Sequence, residues 1–309
     1  MLLGVTIVWG STFPAVKHAL EHISPAALVA CRFSVASLAF AALRPRRVMT
    51  IPRTTWMEGG VLGLIMGLAY LAQTTGLQGT SAARSGFLTA LYVLFTPPIQ
   101  LLLGRGRPTL SSLAGVLVVF PGLYLLALPP GADAFSLAAG FSSGLSSGDL
   151  LTILCALLFA FYVVLMDVSS RRHESDALTF VQLFMTALLS LLLAPLLETT
   201  EIELSFGLAS SLVYLGVFAS LGAVWIQTRY QKLTTPTRAS IIFSMEALFA
   251  ALMAAWWLDD HLRFEEKAGG GLIVLGVLLS EIGRGTREET FPSEGPGGDI
   301  PPRMSGKDA

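Results

Sequence analysis

Charged residues are scarce in this chain. Asp, Glu, Lys and Arg make up 13% of its 309 residues, where a soluble domain carries about 25%. That shortage excludes an ordinary wet surface. Nucleic acid is not expected as a partner: the net charge of −1 says nothing about it, and no basic patch interleaved with aromatics suggests it. Cysteine is rarer still. Cys31 and Cys155 lie in apolar runs without metal-ligand spacing and read as small core residues. The four histidines, at 18, 22, 173 and 261, fall in predicted loops or helix ends that do not converge. No His-Glu-x-x-His, no Gly-x-Ser-x-Gly and no phosphate-cradling glycine loop occurs. Enzyme activity, a resident metal and a cofactor are therefore not expected.

Apolar residues fill the space that charge leaves. They make up 53% of the chain, and the mean hydropathy is +0.67. A window of about 20 residues, the length that crosses the hydrocarbon core, predicts an all-α integral membrane protein with ten transmembrane helices. They lie near 2–20, 25–43, 57–77, 83–103, 110–128, 149–168, 176–197, 207–230, 238–258 and 266–283. The Gly-, Ser- and Pro-rich stretch 129–148 reads as a flexible linker between a first unit, 1–128, and a second, 149–283. Residues 284–309 are charged and rich in Pro and Gly, and read as a disordered tail. Leu28-Val29-Ala30-Cys31 mimics a lipoprotein cleavage site, but Lys17, His18, Glu21 and His22 interrupt the apolar run that a signal needs. Met1 runs straight into apolar residues, so a few residues are expected to precede it.

Basic residues set the expected orientation. With the N-terminus in the cytoplasm, 14 of the 20 Lys and Arg fall in inner loops and the tail. Only Lys17, Arg84, Arg263 and Lys267 fall outside, while Arg32 and Arg229 lie within spans. Both termini are then cytoplasmic, and an even number of crossings agrees.

The two units match each other without gaps at a shift of 154 positions. Gln73-Thr74 falls on Gln227-Thr228, Thr80 on Thr234 and Arg84 on Arg238. Leu94-Phe95 falls on Leu248-Phe249, Gly115 on Gly269 and Gly122 on Gly276. Five crossings per unit is an odd number, so the units sit upside down relative to one another. Many secondary transporters are built from such an inverted repeat, with the substrate held between the halves at mid-membrane.

Several stretches carry a family resemblance: Trp9-Gly-Ser-Thr-Phe-Pro14, Ser85-Gly-Phe-Leu-Thr-Ala-Leu-Tyr-Val-Leu-Phe-Thr-Pro97, Gly148-Asp-Leu-Leu and Met245-Glu-Ala-Leu-Phe-Ala-Ala-Leu. In order and spacing the chain resembles the EamA family of the drug/metabolite transporter superfamily over residues 1–283. It departs from the family's pattern at Ala247, where the family has Pro after the glutamate. The resemblance implies two EamA repeats in the cytoplasmic (inner) membrane of a bacterium. It also implies movement of small metabolites, often amino acids, with export the expected direction. Without an ATP-binding motif, movement must follow the solute's gradient or a coupling ion such as a proton. A non-transporting membrane receptor or scaffold is the alternative, although neither needs internal symmetry.

Glu246 is the sharpest signal for a site, because a carboxylate at mid-span is costly in lipid. The repeat shift pairs it with Tyr92. Arg32 offers a partner charge, and Gln73 and Gln227 supply amides at matched places. Trp9, Ser11 and Thr12 lie on a helix interrupted by Gly10 and Pro14. These eight residues are the candidate substrate contacts. For Glu246 three readings stand side by side: a cavity-lining group, half of a structural pair with Arg32, or a lipid-facing residue. Gly115, Gly122, Gly269 and Gly276 read as packing positions, and Lys17 as a side chain that snorkels to the interface.

Overall fold

A computed structural model describes residues 1–128, 145–257 and 263–282. Helix follows helix through nearly all of them. The first unit runs α1 (Leu2–Gly10), α2 (Thr12–Ala19), α3 (Pro25–Leu43), the single turn α4 (Pro45–Val48) and α5 (Arg53–Gly76). It continues with α6 (Ala82–Ala90), α7 (Tyr92–Leu102) and α8 (Leu110–Ala127). The second runs α9 (Ser147–Arg172), α10 (Ser175–Leu197), α11 (Phe206–Val213), a π-helical segment at Tyr214–Gly222, and α12 (Ala223–Tyr230). A short 3₁₀ turn at Gln231–Leu233 precedes α13 (Pro236–Phe243), α14 (Met245–Trp257) and α15 (Phe264–Ile282). An isolated antiparallel bridge joins Ile23 to Ile202.

Among the described residues six helical stretches are long and apolar enough to cross a membrane unaided: Pro25–Leu43, Arg53–Gly76, Arg84–Leu102, Ser147–Arg172, Ser175–Leu197 and Phe206–Leu233. Leu110–Leu126 is a shorter apolar helix. The remaining expected crossings are helical too, but each has a physical reason to fall short. Ser11 divides the first and Ser244 the ninth. The tenth, α15, opens with Glu265, Glu266 and Lys267. Large apolar side chains point outward along the spans, among them Leu102, Leu117, Leu196 and Leu278, as a hydrocarbon surround permits.

Ser147 and Gly148, at the end of the expected linker 129–148, belong to α9. Ser146 caps α9 through a capping box with Asp149, which draws Ser147 and Gly148 into the helix; residues 129–144 lie outside the described residues. The tail at 284–309 lies outside them as well.

Glycine decides how the helices approach. The faces of α8 and α15 meet through two pairs of glycines. A Cβ on Gly122 would stand 2.7 Å from the Gly269 carbonyl oxygen, and one on Gly115 would stand 2.8 Å from that of Gly276. The same two pairs are related by the 154-residue shift, so this contact is matched from both sides. Lipid supplies no hydrophobic drive between helices, and close backbone approach replaces it with dispersion contact. Gly63 of α5 packs against Gln182 of α10 in the same way, and Thr186 Oγ1 donates to the Gly63 carbonyl at 2.8 Å.

Polar ties close both ends of α9. At its start Arg84 reaches Asp149 at 2.9 Å, and Thr80 Oγ1 donates to the same carboxylate at 2.9 Å. At its end Ser169 Oγ donates to Glu58 at 2.8 Å, and Arg172 and His173 each lie 3.3 Å from that carboxylate. Lys17, expected to snorkel, instead donates to the carbonyls of Leu77 (2.8 Å) and Thr80 (3.0 Å). Two carbonyls left open just past the end of α5 attract its ammonium group.

Candidate functional site

Three helical rods change course at single residues: Ser11 between α1 and α2, Leu91 between α6 and α7, and Ser244 between α13 and α14. At two of these junctions the winding tightens to three-residue hydrogen bonds, Leu94 N–H to the Leu91 carbonyl (2.9 Å) and Ala247 N–H to the Ser244 carbonyl (3.2 Å). Pro14, Pro97 and Pro98 lie just beyond the first two and supply no N–H of their own. Thr12, Tyr92 and Glu246 follow the three junctions within two residues, and all three line one cavity.

The cavity has a volume of about 550 Å³ including its open mouth. Trp9 and Phe13 form part of its wall from α1 and α2, and Phe243 joins them from α13. Tyr70 and Gln73 come from α5, Thr89 and Tyr92 from the sixth and seventh helices. Phe159 and Tyr162 project from α9, and Gln227 from α12. The rings brace one another. Trp9 meets Phe243 edge-on at 5.4 Å, Tyr70 meets Phe159 at 5.3 Å, and Phe159 meets Tyr162 at 6.3 Å. Such contacts fix ring orientation and make a stiff apolar wall.

Polar groups interrupt that wall at few points. Gln73 Nε2 donates to Thr89 Oγ1 at 3.1 Å, and Gln227 Nε2 donates to Gln231 Oε1 at 2.9 Å. Gln231 is held in turn by the Val163 carbonyl at 2.6 Å. The Tyr92 hydroxyl and the Gln227 carbonyl oxygen are buried without a hydrogen-bond partner. Glu246 is 5% exposed, and among the described residues its carboxylate has neither an ion-pair nor a hydrogen-bond partner. Buried polar groups are normally satisfied, and a buried charge is costly unless paired. Three unsatisfied groups thus belong to residues that line one cavity, and an entering molecule could complete them.

Six of the eight residues singled out in the sequence line this cavity: Trp9, Thr12, Gln73, Tyr92, Gln227 and Glu246. Ser11 and Arg32 do not. Ser11 donates to the Val8 carbonyl at 2.6 Å and shares a hydrogen bond with the Tyr214 hydroxyl. Arg32 is buried behind the wall. Its Nε donates to Ser220 Oγ at 2.6 Å, and its guanidinium lies 4.7 Å from the centre of the Tyr70 ring. The expected pair with Glu246 is absent. A π-helical segment, with its wider winding, presents the Ala219 carbonyl to both Trp9 Nε1 (3.1 Å) and Arg32 (3.4 Å). Arginine is thereby anchored by neutral oxygens and an aromatic face rather than by a carboxylate.

Beyond Trp9 and Tyr92, the sequence reading does not include the aromatic lining. Tyr70 precedes Gln73 by three residues, and Phe159 precedes Tyr162 by three, so each pair shares a helix face. That spacing is the signal that could have found it. Among the described residues no group of three or more His, Cys, Asp or Glu could hold a metal ion.

Comparison with known proteins places the chain. A family model, the EamA-like transporter family, matches residues 1–128 and 146–282. One uncharacterized transporter of Archaeoglobus fulgidus is 32% identical over 278 residues, covering 90% of this chain and 83% of that protein. A second from the same organism is 28% identical over 292 residues, covering 91% and 96%. A solved crystal structure superposes with a TM-score of 0.72 over 91% of this chain and 95% of the other, at 19% identity, which speaks to the fold alone. This multi-pass membrane protein, with its cavity among apolar helices, belongs to the EamA-like transporter family.

Proposed function

We propose that the chain is a secondary transporter that exports small metabolites, amino acids or related metabolites, by alternating access around the central cavity. Ten crossings form two inverted repeats, 1–128 and 149–283, with both termini on the cytoplasmic side of a bacterial inner membrane. Glu246, Tyr92, Gln73, Gln227, Trp9 and Thr12 contact the solute, while Arg32 and Ser11 act from behind the wall by holding it in place. A proton exchanged at Glu246 is the proposed coupling ion. The observation that carries this reading is Glu246 itself, a carboxylate 5% exposed and unpartnered at the cavity surface. A structural carboxylate in a membrane interior would be paired; one reserved for a passing solute or proton need not be.

Reconstitution tests it. Purified protein in liposomes preloaded with a metabolite mixture should take up labelled amino compounds by counterflow. Glu246→Gln, at equal incorporation, should lose most of that uptake. Wild-type uptake by Glu246→Gln would overturn the assignment of the site, and a wild-type protein that moves no solute would overturn the transport reading.

A further inference from the structure

The charge of the cavity lining is one-sided. Among the described residues Glu246 is its single carboxylate, and no Lys, Arg or His lines the cavity with it. Arg32, the cation that the sequence offers as a partner, is held behind Tyr70 by Ser220 and the Ala219 carbonyl. The remaining surface is dominated by aromatic faces, with Trp9, Tyr70, Tyr92, Phe159, Tyr162 and Phe243 on several sides. A negative carboxylate and the negative faces of aromatic rings share one preference, which is for a positive group that has shed its water. A carboxylate entering the same space would meet Glu246 with like charge and no cation to receive it, at a cost that a largely apolar wall screens poorly.

Building on the transport reading above, we propose that the cavity selects organic amines in their cationic form, with an apolar or aromatic body. It discriminates against the corresponding amino acids because it offers nothing to an α-carboxylate. The ammonium group sits at Glu246, and the Gln227 carbonyl oxygen, buried and unpartnered, accepts a second of its hydrogens. The body lies between the Trp9–Phe243 and Tyr70–Phe159 ring pairs. Among amino compounds, the decarboxylated members are therefore the better ligands.

Three molecules with one phenyl body separate the possibilities: phenethylamine, phenylalanine and 3-phenylpropionate, which are cation, zwitterion and anion at neutral pH. Binding to the full-length protein in detergent is read by calorimetry, so no variant is needed for the main comparison. Phenethylamine should bind at least tenfold more tightly than phenylalanine, and 3-phenylpropionate should not bind. Glu246→Gln should abolish the difference, and Glu246→Asp should retain part of it. Phenylalanine binding as well as phenethylamine, or none of the three binding, overturns the proposal. Counterflow of a metabolite lacking an amino group in the same vesicles would also overturn it while leaving the transport reading intact. Absence of any counterflow would end both.

Discussion

Gly10 and Glu246 meet backbone to backbone. A Cβ on Gly10 would stand 2.7 Å from the Glu246 carbonyl oxygen and 2.9 Å from the Ala250 amide nitrogen. The lack of a side chain at residue 10 therefore sets how near α1 comes to α14, and with it the places of Trp9 and Glu246 in the cavity lining. Gly10→Ala is expected to push the two helices apart, at an overpacking cost of about 1–3 kcal/mol. Uptake in reconstituted vesicles should fall more than thermal stability does, because the displaced residues line the cavity. Unchanged uptake by Gly10→Ala would show that the close approach is not needed for function.

The four glycines between α8 and α15 give a prediction about stability. Gly122→Ala would place a methyl group 2.7 Å from the Gly269 carbonyl oxygen, and backbone cannot yield as a flexible side chain does. It should cost about 1–3 kcal/mol, read as a lowered thermal midpoint in detergent. Gly271→Ala is the control. A Cβ there meets nothing within 4 Å, and removing a glycine from mid-helix should stabilise by about 0.5–1 kcal/mol. Equal effects of the two substitutions would contradict the packing account.

These glycines are legible in the sequence itself, because a repeat shift and a seven-residue spacing both survive there. The carboxylate at 246 is legible too, since charge at mid-span needs a reason. Other features are not. The π-helical winding at Tyr214–Gly222 leaves no mark in residue type, so nothing in the residues points to the Ala219 carbonyl as the receiver for Trp9 and Arg32. Opposite charges within spans invite the pairing of Arg32 with Glu246, but helical rotation decides which face each occupies. The count of crossings is hard for a related reason: Ser11 and Ser244 sit inside apolar runs and break helices without breaking hydropathy.

Orientation is open to chemical labelling. From the distribution of Lys and Arg, the 44–56 loop is expected inside and the connection around 198–205 outside. Thr50 and Leu204 are both exposed. In a background with Cys31 and Cys155 replaced by alanine, Leu204→Cys should react with a membrane-impermeant maleimide in intact cells. Thr50→Cys should react only after permeabilisation. The reverse pattern would invert the assigned topology without touching the fold.

Separation of Arg32 from Glu246 gives the final prediction. If the two residues formed a buried pair, removing one charge would strand the other, and removing both would restore stability. Their environments argue otherwise. Arg32 is tied to Ser220 at 2.6 Å and lies over the Tyr70 ring, whereas Glu246 has no partner among the described residues. Arg32→Gln should destabilise, since it removes a charged donor from Ser220 and a cation from the aromatic face, contributions of about 1.5–3 kcal/mol and about 0.5–2 kcal/mol. Glu246→Gln should leave stability unchanged or raise it while abolishing uptake. In the double variant the two stability changes should then add to within about 0.5 kcal/mol, and uptake should stay lost. Recovery of both stability and uptake on combining them would mean that the residues act as a pair, and the unpartnered carboxylate could no longer be assigned to the solute.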